Sequence, residues 1–206
     1  MSSSSSQFTY NGGLVLTSID VIQAPIPNKR PNRVEFSGGV ADGTKNDDTA
    51  VFLENVKEAR REKNGTIILE ADVVEDISKR EDIMSTMDST QQLFCIHGFN
   101  KGAKTHLEEC QEAQNGLGEY NVIPVIWPGL GERRLLNYTD KRKTEALGAG
   151  RAFKTLSRYM DIFPKKSLHA HSMGNRVLRF AANAGCNFDN IFMVAPVSNF
   201  FCLFFL

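Results

Sequence analysis

An α/β fold, a mostly parallel sheet flanked by helices, is predicted by three features of the sequence. From residue 91 onward, short apolar runs alternate with longer stretches of helical patterning. One apolar run stops at His97-Gly98, and another turns through Ser172 directly into a helix pattern. The length, 206 residues, suffices for one core-forming domain and hardly for two.

Taken in order, Ser2 to Ser6 is low-complexity, and residues 1–10 read as a disordered tail. Residues 11–90 form a less patterned region. Leu14 to Ile22 suggests a strand, and Ala24-Pro25-Ile26-Pro27-Asn28 is turn-rich. Asn46-Asp47-Asp48-Thr49 is a helix-start signal, and Phe52, Val56 and Ala59 behind it fall on one helical face. Asn64-Gly65 ends that helix, and Thr66 to Leu69 reads as a strand.

The third region, residues 91–206, is sharper. Leu93 to Ile96 is wholly apolar, as suits a strand buried on both faces of a parallel sheet. Residues 103–115 predict a helix, Asn121 to Trp127 a strand, and Thr139-Asp140 opens a helix running to Pro164. Ser167 to His171 is a further strand, followed by a helix from about Met173 to Ala184, with Val177, Leu178 and Ala181 on its apolar side. Ile191 to Ala195 closes the series.

Composition narrows the function. Lys plus Arg number 24 and so do Asp plus Glu, so the chain lacks the basic excess of a nucleic-acid binder. Its basic runs are flanked by acids or helix signals and read as solvated faces. The four cysteines form no C-x-x-C pair, and Cys95 and Cys202 sit in apolar runs as small buried hydrophobes. No apolar core follows the serine run, so no secretory leader is read and a reducing cytoplasmic location is the default. Gly116-Leu117-Gly118 and Gly148-Ala149-Gly150 complete neither a dinucleotide nor a P-loop pattern, so no cofactor is expected. His169 and His171 share one strand face but lack a third ligand nearby, so no metal is expected.

Two motifs carry chemistry. Leu168-His169-Ala170-His171-Ser172-Met173-Gly174-Asn175-Arg176-Val177 puts a serine on a strand-to-helix turn, with small residues two before and two after. A large side chain at either position would collide with the neighbouring strand and helix. The turn holds the hydroxyl out at a helix N-terminus, where the dipole favours developing negative charge. Alanine at 170 departs mildly from the usual glycine. The competing reading is a serine that only caps the helix. In Phe94-Cys95-Ile96-His97-Gly98-Phe99-Asn100, Gly98 lets the backbone come close, so the Phe99 amide can face a substrate oxygen. With the Met173 amide it would make a two-donor oxyanion hole. His97, Gly98 and His171 are candidate substrate contacts, and His97 reads as structural more than catalytic.

Phe94 to Asn100, Trp127-Pro128, Tyr138 with Asp140, and His171-Ser172-Met173-Gly174-Asn175-Arg176 together resemble α/β-hydrolases of unknown function, the DUF900 group. The resemblance covers residues 91–196. It implies an α/β-hydrolase fold and esterase- or lipase-like cleavage of a small-molecule acyl ester. It makes Ser172 the nucleophile and Phe99 and Met173 the oxyanion donors. Gly129 stands where members often carry serine.

The triad of this fold runs Ser, then Asp or Glu, then His. All four histidines (97, 106, 169, 171) precede Ser172, and Asp189 is the only acid after it. The chain therefore carries a nucleophile without its general base, and loss of the base can cost about 10⁶ in turnover. An incomplete hydrolase fold, inactive or impaired as the chain stands, is the expectation. The rival is a non-catalytic fragment or binding module that keeps the elbow as scaffold. The apolar, uncharged run from Val197 to Leu206 suggests a truncated or read-through gene model. As a membrane tail, residues 191–206 would reach only ~24 Å at about 1.5 Å per residue, short of the ~30 Å of hydrocarbon. The segment 128–143, at the C-terminal edge of a strand, could border the pocket.

Overall fold

The computed structural model describes residues 10, 13–17, 22–23, 33–36, 51–61, 67–74, 80–83, 85, 91–98, 101–127, 163–183 and 185–195. The expected helix between Thr139 and Pro164, the turn 24–28, the start signal 46–49 and the pocket-bordering segment 128–143 lie outside these residues. So do Phe99 and the run 197–206. Among the described residues nine strands form one mixed sheet. They are β1 (Val15–Thr17), β2 (Ile22–Gln23), β3 (Arg33–Phe36), β4 (Val51–Arg61), β5 (Ile67–Val74), β6 (Gln91–Ile96), β7 (Tyr120–Ile126), β8 (Lys166–His171) and β9 (Asn190–Val194). Helix α1 (Ala103–Gly116) joins β6 to β7, and α2 (Gly174–Asn183) joins β8 to β9.

The spatial order is β2-β3-β5-β4-β1-β7-β6-β8-β9. Strands β1, β7, β6, β8 and β9 run parallel, and β4, β5, β3 and β2 extend the sheet antiparallel beyond β1. The α/β class holds, and the two halves differ in kind. The expected strand at Leu14 to Ile22 is two: β1 inside the sheet and β2 at its far edge. Tyr10, assigned to the tail, belongs to the core. It is buried, its amide donates to the Val56 carbonyl at 2.9 Å, and its hydroxyl reaches the Val122 carbonyl at 3.3 Å.

The helix expected through Phe52, Val56 and Ala59 is strand β4. Its register against β5 pairs Glu54 with Asp72 and then Glu58 with Glu70. Asn55, Val56 and Lys57 thus oppose Ala71 alone. Such a bulge breaks the two-residue alternation of a strand and spaces apolar residues as a helix would. At its centre Asn55 adopts φ +52°, and its side chain donates to Asp72 Oδ2 at 3.0 Å. Pairing with β1 on one side and β5 on the other satisfies the backbone of β4, which outweighs a local helical preference.

The parallel half has a distinct core on each face. Alternate residues of β6 separate the two: Phe94 and Ile96 pack with Leu168, Ala170 and the α2 residues Val177, Leu178 and Ala181, while Leu93 and Cys95 pack with Cys110 of α1 and Val122. Helices α1 and α2 therefore cover opposite faces. The strand order agrees with this: β7 lies to one side of β6 and β9 to the other side of β8, so crossovers of one hand, as parallel units follow, place their helices on opposite faces. The α2-side core includes an aromatic cluster in which Phe163 meets Phe94 edge-on at 5.4 Å. Edge strand β9 leaves Ile191, Phe192, Met193 and Val194 each 40–47% exposed.

The bulge gives a direct check. Asn55→Val forces a β-branched residue into the left-handed region and should cost about 1–2 kcal/mol in urea unfolding. Asn55→Gly keeps the conformation and should cost roughly half of that or less. Equal losses in both variants would show that the Asn55–Asp72 hydrogen bond, and not the backbone, sets the requirement.

Candidate functional site

The strand order reverses at β6 and β8. From the C-terminal end of β6 the chain leaves through α1 toward β7. From the C-terminal end of β8 it leaves through α2 toward β9. The two exits diverge onto opposite faces, which opens a crevice at the ends of these strands, the place where open α/β sheets bind ligands. His97-Gly98 stands at the end of β6 and His171-Ser172-Met173 at the end of β8. The structure thus brings together two motifs far apart in sequence.

The approach is close. A Cβ on Gly174 would stand 2.8 Å from the His97 carbonyl oxygen and 2.9 Å from both the Ile96 carbonyl oxygen and its Cγ2. A Cβ on Gly98 would stand 2.8 Å from His171 Nδ1 and 3.1 Å from the Ser172 Cβ. Both glycines are required by contact, as the spacing of the motifs predicts. Ala170, fully buried, shows why alanine is tolerated at the third small position: it faces the α2-side core and not a backbone.

Ser172 sits on the turn with φ +50°, a left-handed conformation that costs a non-glycine residue of order 1–3 kcal/mol. Its neighbours hold it there. The Ser172 amide donates to the Val194 carbonyl at the end of β9 at 2.9 Å, and the Ser172 carbonyl accepts from the Asn175 amide at 3.1 Å. The Asn175 side chain, fully buried, donates to the carbonyls of Ser172 at 2.9 Å and Val194 at 3.3 Å. Asn175 and Val194 are positioning groups that the spacing of apolar residues does not reveal. The Met173 side chain is buried, and among the described residues its amide has no acceptor.

His97 is locked. It is 2% exposed, its Nδ1–H donates to the Gly98 carbonyl at 2.8 Å, and Nε2 accepts from the Trp127 amide at 3.4 Å. Those partners fix the neutral tautomer. Trp127 stacks on the ring at 5.4 Å and donates its indole N–H to the His97 carbonyl at 2.8 Å. Burial holds the His97 pKa down at about 4. His106, also buried, is held well below its ordinary value by desolvation and by the nearby His97, and its Nε2–H donates to the Cys95 carbonyl at 2.9 Å. His97 therefore orders the backbone ahead of Phe99. His169 and His171 both line the cavity on the α1 side, as strand alternation predicts. His171 Nδ1 is buried without a hydrogen-bond partner among the described residues.

Asp189 lies at the opposite end of the sheet. Its amide donates to the Lys166 carbonyl and its Oδ2 accepts from the Lys166 amide, both at 2.8 Å. The length of β8, roughly 16 Å at about 3.3 Å per residue, separates it from Ser172. It holds the start of β8 and takes no part at the elbow.

No protein-family model matches this chain, and neither a curated protein nor a solved structure does. No helix among the described residues is long and apolar enough to cross a membrane.

Two measurements test this geometry. Gly174→Ala should destabilise the chain by about 1–3 kcal/mol, because the added methyl meets fixed carbonyls. Gly116→Ala, with open space around it, should be neutral or slightly stabilising. The second is pH dependence. His97 takes up a proton near pH 6.5 when unfolded but only near pH 4 when folded, so stability falls as pH drops through that window. His97 alone should account for a loss of about 2 kcal/mol between pH 7 and pH 5, and urea unfolding of His97→Asn should show a correspondingly smaller loss.

Proposed function

We propose that this chain is a serine acyl hydrolase of the α/β-hydrolase type, related to the DUF900 group, whose substrate is a small carboxylic ester. One observation carries the reading: Ser172 is held at φ +50° between β8 and α2, at the point where strand order reverses, beside an amide that has no acceptor among the described residues. A bare helix cap needs neither the left-handed turn nor the contact of Gly174 with β6.

In this reading the Ser172 hydroxyl attacks the ester carbonyl carbon, and negative charge builds on the carbonyl oxygen. The amides of Met173 and Phe99 take that charge. A fixed donor of this kind is worth about 10²–10³ in rate. The proton lost by Ser172 passes through solvent to the leaving alcohol. Collapse of the tetrahedral intermediate leaves an acyl-serine, and water then cleaves it to the acid. Without a general base among the described residues both steps run slowly. Gly98 and His171 border the acyl group, and His97 holds Gly98 in place through its bonds to Gly98 and Trp127. Buried thiols outside any disulfide at Cys95, Cys110 and Cys186 fit a reducing cytoplasm.

A second reading has a specific observation in its favour. His97 and His106 are neutral and bonded to backbone, and Asp189 stands across the sheet, so none of the three activates Ser172. A binding module that keeps the elbow as scaffold would look the same at these positions.

A fluorophosphonate probe separates the two. Slow, stoichiometric labelling at Ser172, abolished in Ser172→Ala with an unchanged circular dichroism spectrum, is the expected result. A folded wild-type chain that takes up no label would sink the hydrolase reading and leave the binding module.

A further inference from the structure

The α1 side of the sheet holds a cavity of about 320 Å³ bounded by β6, β8 and α1. Two cysteines and four histidines line it, among them Cys95 from β6, Cys110 and His106 from α1, and His169 from β8, with His97 and His171 at the strand ends. Cys95 is 8% exposed and Cys110 3%, and both are free thiols in one packed cluster. His169 is the register partner of Cys95 across β6 and β8. The Cys110 sulfur lies 3.9 Å from His106 Nδ1 and 3.8 Å from Nε2. Packing alone would be served by Val or Ala at both places; a paired dithiol flanked by two imidazoles has a chemistry of its own.

We propose that Cys95 and Cys110 form a peroxide-reactive dithiol centre, with Cys95 as the attacking thiol and Cys110 as the resolving one. The roles follow from the contacts. His169, directly across from Cys95 on β8, faces the same cavity, whereas His106 beside Cys110 commits its Nε2–H to the Cys95 carbonyl. The neighbouring Cys110 thiol and His169 pull the Cys95 pKa down against the effect of burial. The neighbouring Cys95, together with burial, pushes Cys110 up. The thiolate is the nucleophile, and its rate follows its population and its access. The co-reactant is a hydroperoxide, small enough for the cavity. The Cys95 thiolate attacks the O–O bond, an S–O bond forms, and the departing oxygen takes a proton to leave as water or alcohol. The Cys110 sulfur, losing its proton, then attacks the Cys95 sulfenic sulfur. The S–S bond forms, the S–O bond breaks, and a second water leaves. Two thiols are oxidised to one disulfide as the peroxide is reduced.

Cys186 is an internal control. It lies in the α2-side core on the other face, and burial pushes its thiol up to about 11. The test treats the whole wild-type chain with hydrogen peroxide, digests it without reductant and reads the peptides by mass spectrometry. The expected product is a peptide pair joined through Cys95 and Cys110, lighter by two hydrogens and separated by dithiothreitol, while Cys186 stays a thiol. In Cys110→Ser, dimedone should trap a sulfenic acid at Cys95, at least about ten times more than at Cys110 in Cys95→Ser. Oxidation of Cys186 at the same rate, oxidation of Cys95 without any linked peptide, or no reaction at either cysteine would each overturn the proposal. The wild-type digest decides this even if a variant fails to fold.

Discussion

The contact between Gly174 and the carbonyls of Ile96 and His97 is the constraint on which the rest of the site depends. It brings the first turn of α2 against the last residues of β6 with no room for a methyl group. That proximity tightens the turn at Ser172 into the left-handed region and places the serine next to Gly98. The strain is offset by bonds on both sides of the turn, from Asn175 and from the end of β9. A strained serine persists only where its surroundings over-determine it, and here two strands and a buried amide do so.

A second lock stands at the end of β6. His97 and Trp127 exchange bonds between ring and backbone in both directions and stack on each other. The pair ties β6 to β7 at the C-terminal edge, where loops would otherwise diverge. A neutral, buried imidazole suits this role because it donates at one nitrogen and accepts at the other. Its low proton affinity is a consequence of that burial and makes the arrangement acid-sensitive.

The two faces of the parallel half have different chemistry. The α2 side is a continuous apolar core closed by Phe163, Phe94 and Trp127. The α1 side buries imidazoles and thiols. Unpaired polar groups there would be costly, and the structure offsets part of that cost through the bond of His106 to the Cys95 carbonyl and the contact of Cys110 with His106. The cavity that Cys95 and Cys110 face also reaches His97 and His171, so the thiol cluster and the turn at Ser172 adjoin one another.

The sequence by itself determined the parallel half, the elbow and the need for small residues at 98 and 174. These follow from local rules: strand and helix periods, and the steric demand of a sharp turn within a few residues. It could not determine that Phe52 to Ala59 is a bulged strand, because a bulge mimics helical spacing and only pairing with β1 and β5 decides between them. Nor could it pair Cys95 with Cys110, or give Asn175 and Trp127 their positioning roles, since each depends on side chains that meet across elements. Tertiary structure alone decided where the strand order reverses. That choice, fixed by which edge of β6 each crossover returns to, turns two distant motifs into one site.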